Sequence, residues 1–76
     1  MSEISRLRWL CRRGMKELDV VLTHYLEQRY ADASEDEQQR FRQLLQMPDP
    51  ELYSLLLRRT PPGDDETAAL LKQLRL

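Results

Sequence analysis

The sequence predicts an all-α fold, a small five-helix bundle forming a single domain over residues 1–76, and three observations carry that expectation. Good helix formers dominate the chain, which has only two glycines. No run of four β-branched or aromatic residues offers a strand. Apolar residues recur three and four positions apart in segments separated by glycine, proline or acidic breaks. A chain of 76 residues has room for one core, since domains usually run from about 50 to 250 residues.

The elements follow in order. Ile4, Leu7, Leu10 and Cys11 predict an amphipathic helix over residues 3–12, with Ser2 as its cap and Gly14 near its C-terminal turn. Leu18, Val21, Leu22, Tyr25, Leu26 and Tyr30 continue the periodicity over a longer second helix, residues 16–31. Ser34 followed by Glu37 has the spacing of a capping box, and Phe41, Leu44 and Leu45 give the third helix its apolar face. Pro48 halts it. In "PDPELYSLLLRR" Asp49 is the expected cap and Pro50 lies in the first turn, with Leu52, Leu55 and Leu56 facing inward. "TPPGDDE" is a break, after which Asp64 or Asp65 caps a last helix carrying Leu70, Leu71 and Leu74.

Composition narrows the function. The 12 Lys+Arg and 13 Asp+Glu leave a net charge of -1, so no global attraction draws the chain to nucleic acid or anionic membrane. The charge is polarised: Arg6, Arg8, Arg12, Arg13 and Lys16 face only Glu3 near the N-terminus, whereas Asp32, Glu35, Asp36 and Glu37 cluster without a base. The single cysteine excludes an internal disulfide, and no apolar run has the length of a membrane span or secretory core. The expectation is a soluble, cytoplasmic protein.

Nothing in the chain assembles a catalytic or cofactor site by itself. One His and one Cys do not make a metal-ligand set, and His24 has no nearby nucleophile to activate, so it reads as a surface or half-buried structural residue. Cys11 falls on the apolar stripe of the first helix and reads as a small buried hydrophobe. Gly14 and Gly63 belong to no phosphate-binding loop. The helix, glycine, helix order could suggest a DNA reader, but "ELDVVLTHYLEQRY" turns mostly apolar residues to the core and has no basic face for bases. An enzyme is not expected, and neither a cofactor nor a metal of its own.

The remaining stretch is "CRRGMKELD", residues 11–19. Gly14 suits a tight corner because it can take positive φ and admits a close backbone approach. Arg13 near a helix C-terminus and Glu17 at a helix N-terminus match the helix dipoles. In the order "RRGMKELD" after a Trp-containing basic helix, with "MPDPELYSLL" later, the chain resembles the succinate dehydrogenase assembly factor family, called SdhE in bacteria. The resemblance runs from about Arg6 to Leu57, and the family's RGxxE motif stands here as Arg13, Gly14 and Glu17, extended by Leu18 and Asp19.

The resemblance implies a compact five-helix bundle that acts as a chaperone. Its implied partner is the flavoprotein subunit of succinate dehydrogenase or fumarate reductase, to which it promotes covalent attachment of FAD. The flavin and the histidine that receives it belong to the client. Arg13, Gly14 and Glu17 are implied client contacts, accessible on one face, with Arg12, Lys16 and Asp19 flanking them. Where many bacterial relatives carry a tryptophan in the fourth helix, this chain has Leu55, and its tail stops at Leu76. A second role attached to the family is that of an antitoxin-like regulator of a membrane-associated toxin.

Overall fold

The computed structural model describes residues 2–74, which form five α-helices and one 3-10 turn and contain no strand. Helix α1 spans Glu3–Leu10, and the Ser2 hydroxyl oxygen accepts the Ser5 N–H at 3.1 Å to cap it. Leu7 and Cys11 are buried. The helix stops short of the expected residue 12 because its end tightens: the Cys11 N–H is shared between the Leu7 and Arg8 carbonyls, and the Arg12 N–H goes to Trp9. Ile4, expected on the inner face, is exposed. Glu3 takes the side facing Tyr30 and Arg42, and Ile4, about 100° further round, is left outside.

Helix α2 spans Lys16–Gln28 and buries Leu18, Val21, Leu22, Tyr25 and Leu26 on one stripe. Regular α-geometry ends at Arg29, and Tyr30–Asp32 winds into a 3-10 turn where a longer helix was expected. Tertiary bonds fix that turn. The Tyr30 hydroxyl donates to Glu3 at 2.8 Å and accepts from Arg42 at 2.8 Å, while its carbonyl accepts the Gln38 side chain at 2.6 Å.

Helix α3 spans Glu35–Leu44, with the Ser34 side chain accepting the Glu37 N–H at 3.1 Å. The reciprocal half of the capping box is absent, because the Glu37 carboxylate accepts the Tyr25 hydroxyl at 2.6 Å instead. The Tyr25 ring packs 4.5 Å from Phe41, centroid to centroid, and burial followed by the Glu37 contact pushes its phenol well above the ordinary range. A buried hydroxyl thus has its partner without interrupting the apolar core.

Helix α4, Asp49–Leu56, begins from Pro48 rather than from an Asp49 cap, and buries Leu52, Leu55 and Leu56. Leu55 therefore belongs to the core of this chain. The C-terminus of α4 reverses through a Schellman motif: the Arg59 N–H reaches the Ser54 carbonyl at 2.9 Å and the Arg58 N–H reaches Leu55 at 3.1 Å. Arg58 occupies the left-handed position, φ 62°, that glycine usually fills. Helix α5, Asp65–Gln73, is capped by Asp64, which accepts the Thr67 N–H at 2.7 Å. Arg40 of α3 reaches Asp64 at 3.2 Å and Glu66 at 2.9 Å, so the start of α5 is tied to the helix against which it packs. Leu70, Leu71 and Leu74 close the core around Tyr25, Phe41, Leu18, Leu22 and Leu52. The last two residues, on which the expectation about the tail falls, lie outside the described residues.

Two outcomes follow from this packing. Arg58→Gly removes a left-handed strain of about 1–2 kcal/mol and returns part of it as unfolded-chain entropy, so a thermal melt should rise by a few degrees. Burial pushes the Cys11 thiol up to about 11 from an ordinary 9.0, against the lowering pull of Arg13. Because the folded value is the raised one, this contribution to stability is complete below pH 9 and lost as pH climbs through 11. Iodoacetamide at pH 8 should label Cys11 only in denaturant, and Cys11→Ala should reduce the fall in thermal midpoint between pH 9 and 11.

Candidate partner-binding site

The loop from Arg12 to Met15 joins α1 to α2 and turns at Gly14, whose φ is +80°. A Cβ built on Gly14 would meet no atom within 4 Å. The glycine is therefore required by its backbone angle and not by crowding inside the molecule, and the space above it is open.

Arg13 fixes the loop from beneath. Its side chain is only 13% exposed. Nε donates to the Leu10 carbonyl at 3.0 Å, Nη1 to the Met47 carbonyl at 2.8 Å and to Asp49 Oδ1 at 3.1 Å, and Nη2 to the Leu45 carbonyl. Leu10 is the last residue of α1, and Leu45 and Met47 follow the last turn of α3. One guanidinium thus satisfies carbonyls at the negative ends of two helices, where helical geometry leaves acceptors without partners. Asp19 completes the arrangement by accepting the Arg13 backbone N–H at 2.6 Å. The accessible guanidinium expected on the face shared with Gly14 and Glu17 is not found. It is turned inward because five N–H donors in a planar fork match this group of acceptors.

Arg12, Gly14, Lys16 and Glu17 face outward. Glu17, in the first turn of α2, is exposed, and its Oε2 accepts the Tyr53 hydroxyl at 2.8 Å. Arg12 and Lys16 are exposed and have no ion pair among the described residues. Beside them Trp9 is 73% and Val20 59% exposed. A groove of about 700 Å³ runs between α1 and α2 past Arg8, Arg12, Gly14, Asp19, Val20 and His24. Its charged lining differs from the mostly apolar enclosure that holds a flavin-sized ligand. The 3.9 Å Arg8–Glu27 pair across it is exposed on both sides and adds little rigidity.

The sequence places Arg13, Gly14 and Glu17 on one accessible face with Arg12, Lys16 and Asp19 flanking it; Gly14, Glu17, Arg12 and Lys16 are exposed, Asp19 is half-buried and Arg13 is turned inward. Sequence reasoning did not find Tyr53, Asp49 or the Leu45 and Met47 carbonyls as neighbours of the motif. Those groups lie 32 to 36 positions away in the chain. Asp49 also had a competing local explanation as a helix cap. The one available signal was that an arginine just past the end of a helix needs acceptors, and neighbouring helix ends supply them.

Residues 5–76 match the family model described as "Flavinator of succinate dehydrogenase". The chain is 44% identical over 75 residues to the "FAD assembly factor SdhE" of Methylococcus capsulatus, covering 99% of this chain and 90% of that relative. It is 37% identical over 70 residues to the protein of the same name from Coxiella burnetii, with 92% and 85% of the two chains covered. The Yersinia pseudotuberculosis protein of that name is 37% identical over 71 residues, 93% and 81% of the two. A loop held open at Gly14 by an inward arginine, beside an exposed Glu17, is in this chain the form of the RGxxE segment, and the chain belongs to the flavinator of succinate dehydrogenase family.

Proposed function

We propose that this protein is an assembly factor that binds the flavoprotein subunit of succinate dehydrogenase, or of fumarate reductase, and promotes covalent attachment of FAD to it. Membership of the family over residues 5–76 carries this reading. The relatives described above are all named as FAD assembly factors, and the antitoxin-like role draws no support from them. The flavin and the histidine that receives it are the client's. This chain contributes orientation: holding the client's reacting groups together lowers the barrier without an acid or base of its own. The assembly factor is therefore not an enzyme in this reading.

In this reading the motif residues have two roles. Gly14 offers a bare backbone corner against which the client packs, Glu17 makes a polar contact, and Arg12 and Lys16 supply positive charge around it. Arg13 from inside, and Asp19 from the groove through its bond to the Arg13 N–H, act as positioning residues that keep the corner in shape. Capturing the protein from its native host and detecting covalent flavin by in-gel fluorescence tests the partner. Recovery of no flavoprotein subunit, or unchanged flavin attachment in a strain lacking the protein, overturns the proposal.

Four substitutions separate the roles. Gly14→Ala and Gly14→Arg should each cost about 1–2 kcal/mol, since both must adopt positive φ, while a Cβ at this position meets no atom within 4 Å. Only the arginine should abolish flavin attachment, and normal attachment with a folded Gly14→Arg protein sinks the close-approach role. Glu17→Ala should lower stability by only ~0.3–1 kcal/mol, the usual contribution of an exposed first-turn carboxylate. It should weaken the client complex roughly tenfold to hundredfold by leaving a desolvated partner group unsatisfied. Arg13→Lys should show the reverse pattern. Losing most of the fork leaves part-buried carbonyls unpaired, at a cost on the order of 3 kcal/mol and a midpoint lower by roughly 10–20 °C. Flavin attachment should then follow the folded fraction; a large loss at unchanged midpoint would make Arg13 a direct contact.

A further inference from the structure

We infer that Tyr53 of α4 is a positioning residue for client recognition, presenting the Glu17 carboxylate in a fixed orientation. The inference rests on the reading of Glu17 as a client contact and adds a residue outside the motif. Tyr53 is suited to the task because its two ends sit in different surroundings. The ring packs against the core formed by residues such as Leu52 and Leu56, while the hydroxyl emerges to meet Glu17 Oε2 at 2.8 Å. A phenol anchored by its ring has only two side-chain torsions and few alternative positions, so its O–H is a fixed donor. The bond to Glu17 and the charge of that carboxylate raise the Tyr53 phenol above its ordinary 10.0.

The consequence falls on Glu17. A glutamate exposed on the first turn of a helix samples many rotamers, and fixing it at an interface costs side-chain entropy at the moment of binding. The Tyr53 bond fixes it beforehand. Only one oxygen is used: Oε1 of Glu17 has no hydrogen bond among the described residues and remains available to a partner. A carboxylate has about four acceptor positions, so this one donor does not exhaust it. The matching group on the client is a cation or N–H donor placed to meet Oε1. Tyr53 also ties α4 to α2, so the acceptor's position is referred to the body of the bundle and not to the loop alone.

The test is a double-mutant cycle on the full chain, with affinity for the purified, unflavinylated flavoprotein subunit of the same host measured by titration calorimetry. Tyr53→Phe keeps the ring and should leave the thermal midpoint nearly unchanged, because the lost bond is exposed. It should weaken the complex by about threefold to tenfold, the equivalent of one modest hydrogen bond. In a Glu17→Ala background the same change should have no further effect, since nothing is left to position. A structural role for the hydroxyl would lower the midpoint and leave the affinity of the folded protein alone, which overturns the inference. Equal weakening in both backgrounds also overturns it, by showing that the hydroxyl acts independently of Glu17. Loss of affinity on Glu17→Ala with none on Tyr53→Phe removes Tyr53 and leaves the reading of Glu17 intact. No loss on Glu17→Ala removes both.

Discussion

The guanidinium of Arg13 is the interaction on which the arrangement of this bundle depends. Five helices of 8 to 13 residues have many ends for their length, and each end leaves backbone acceptors that the helix cannot satisfy internally. Arg13 supplies donors to the ends of α1 and α3 together, and its contact with Asp49 reaches the first turn of α4. The contacts span more than 30 positions of sequence, so the pairing of the N-terminal helices with the α3–α4 turn is built into one side chain. Hydrophobic burial holds the helices together without direction. The planar fork adds direction by matching carbonyls at fixed places.

A segment of seven residues, Arg13 to Asp19, therefore serves two surfaces. Arg13 turns its guanidinium inward and Asp19, half-buried at the edge of the groove, accepts the Arg13 N–H, whereas Gly14, Lys16 and Glu17 are exposed. The positive φ at Gly14 makes the change of direction possible, and Leu18 then drops into the core with no exposed area. A surface meant to be read by a partner is more precise when its support is fixed, because ordering then takes place on folding and not on binding. The RGxxE segment has that character: a bare corner and a carboxylate, each backed by a bonded residue beneath.

Much of this was legible in the sequence, and the parts that were not share a cause. Periodicity located all five helices because their apolar stripes are strong, and the Ser2, Ser34 and Asp64 caps stand next to the helices they begin. Local rules failed where a distant partner won. Asp49 left its cap position for Arg13, Glu37 left the capping box for the Tyr25 hydroxyl, and Tyr30 ended α2 early through its bonds to Glu3, Arg42 and Gln38. Arg13 itself reads in the sequence as a surface cation, since charge suggests exposure when acceptors from other helices are unknown. Tyr53 was hidden for a similar reason: on a short helix its spacing gives no sign that the hydroxyl reaches α2.

The position of the only tryptophan has an optical consequence. Trp9 lies on the outer face of α1 among Arg6, Arg8 and Arg12, with 73% of its surface in water, and so contributes nothing to the core. Its emission in the free protein is set by solvent, so intrinsic tryptophan fluorescence is nearly blind to the unfolding of the bundle. The core instead contains Tyr25, Tyr30 and Phe41, packed 4.5 and 5.6 Å apart between centroids. Tertiary order in this molecule is reported by tyrosine, through near-ultraviolet dichroism, while the indole is a separate channel that senses only what happens beside the α1–α2 corner.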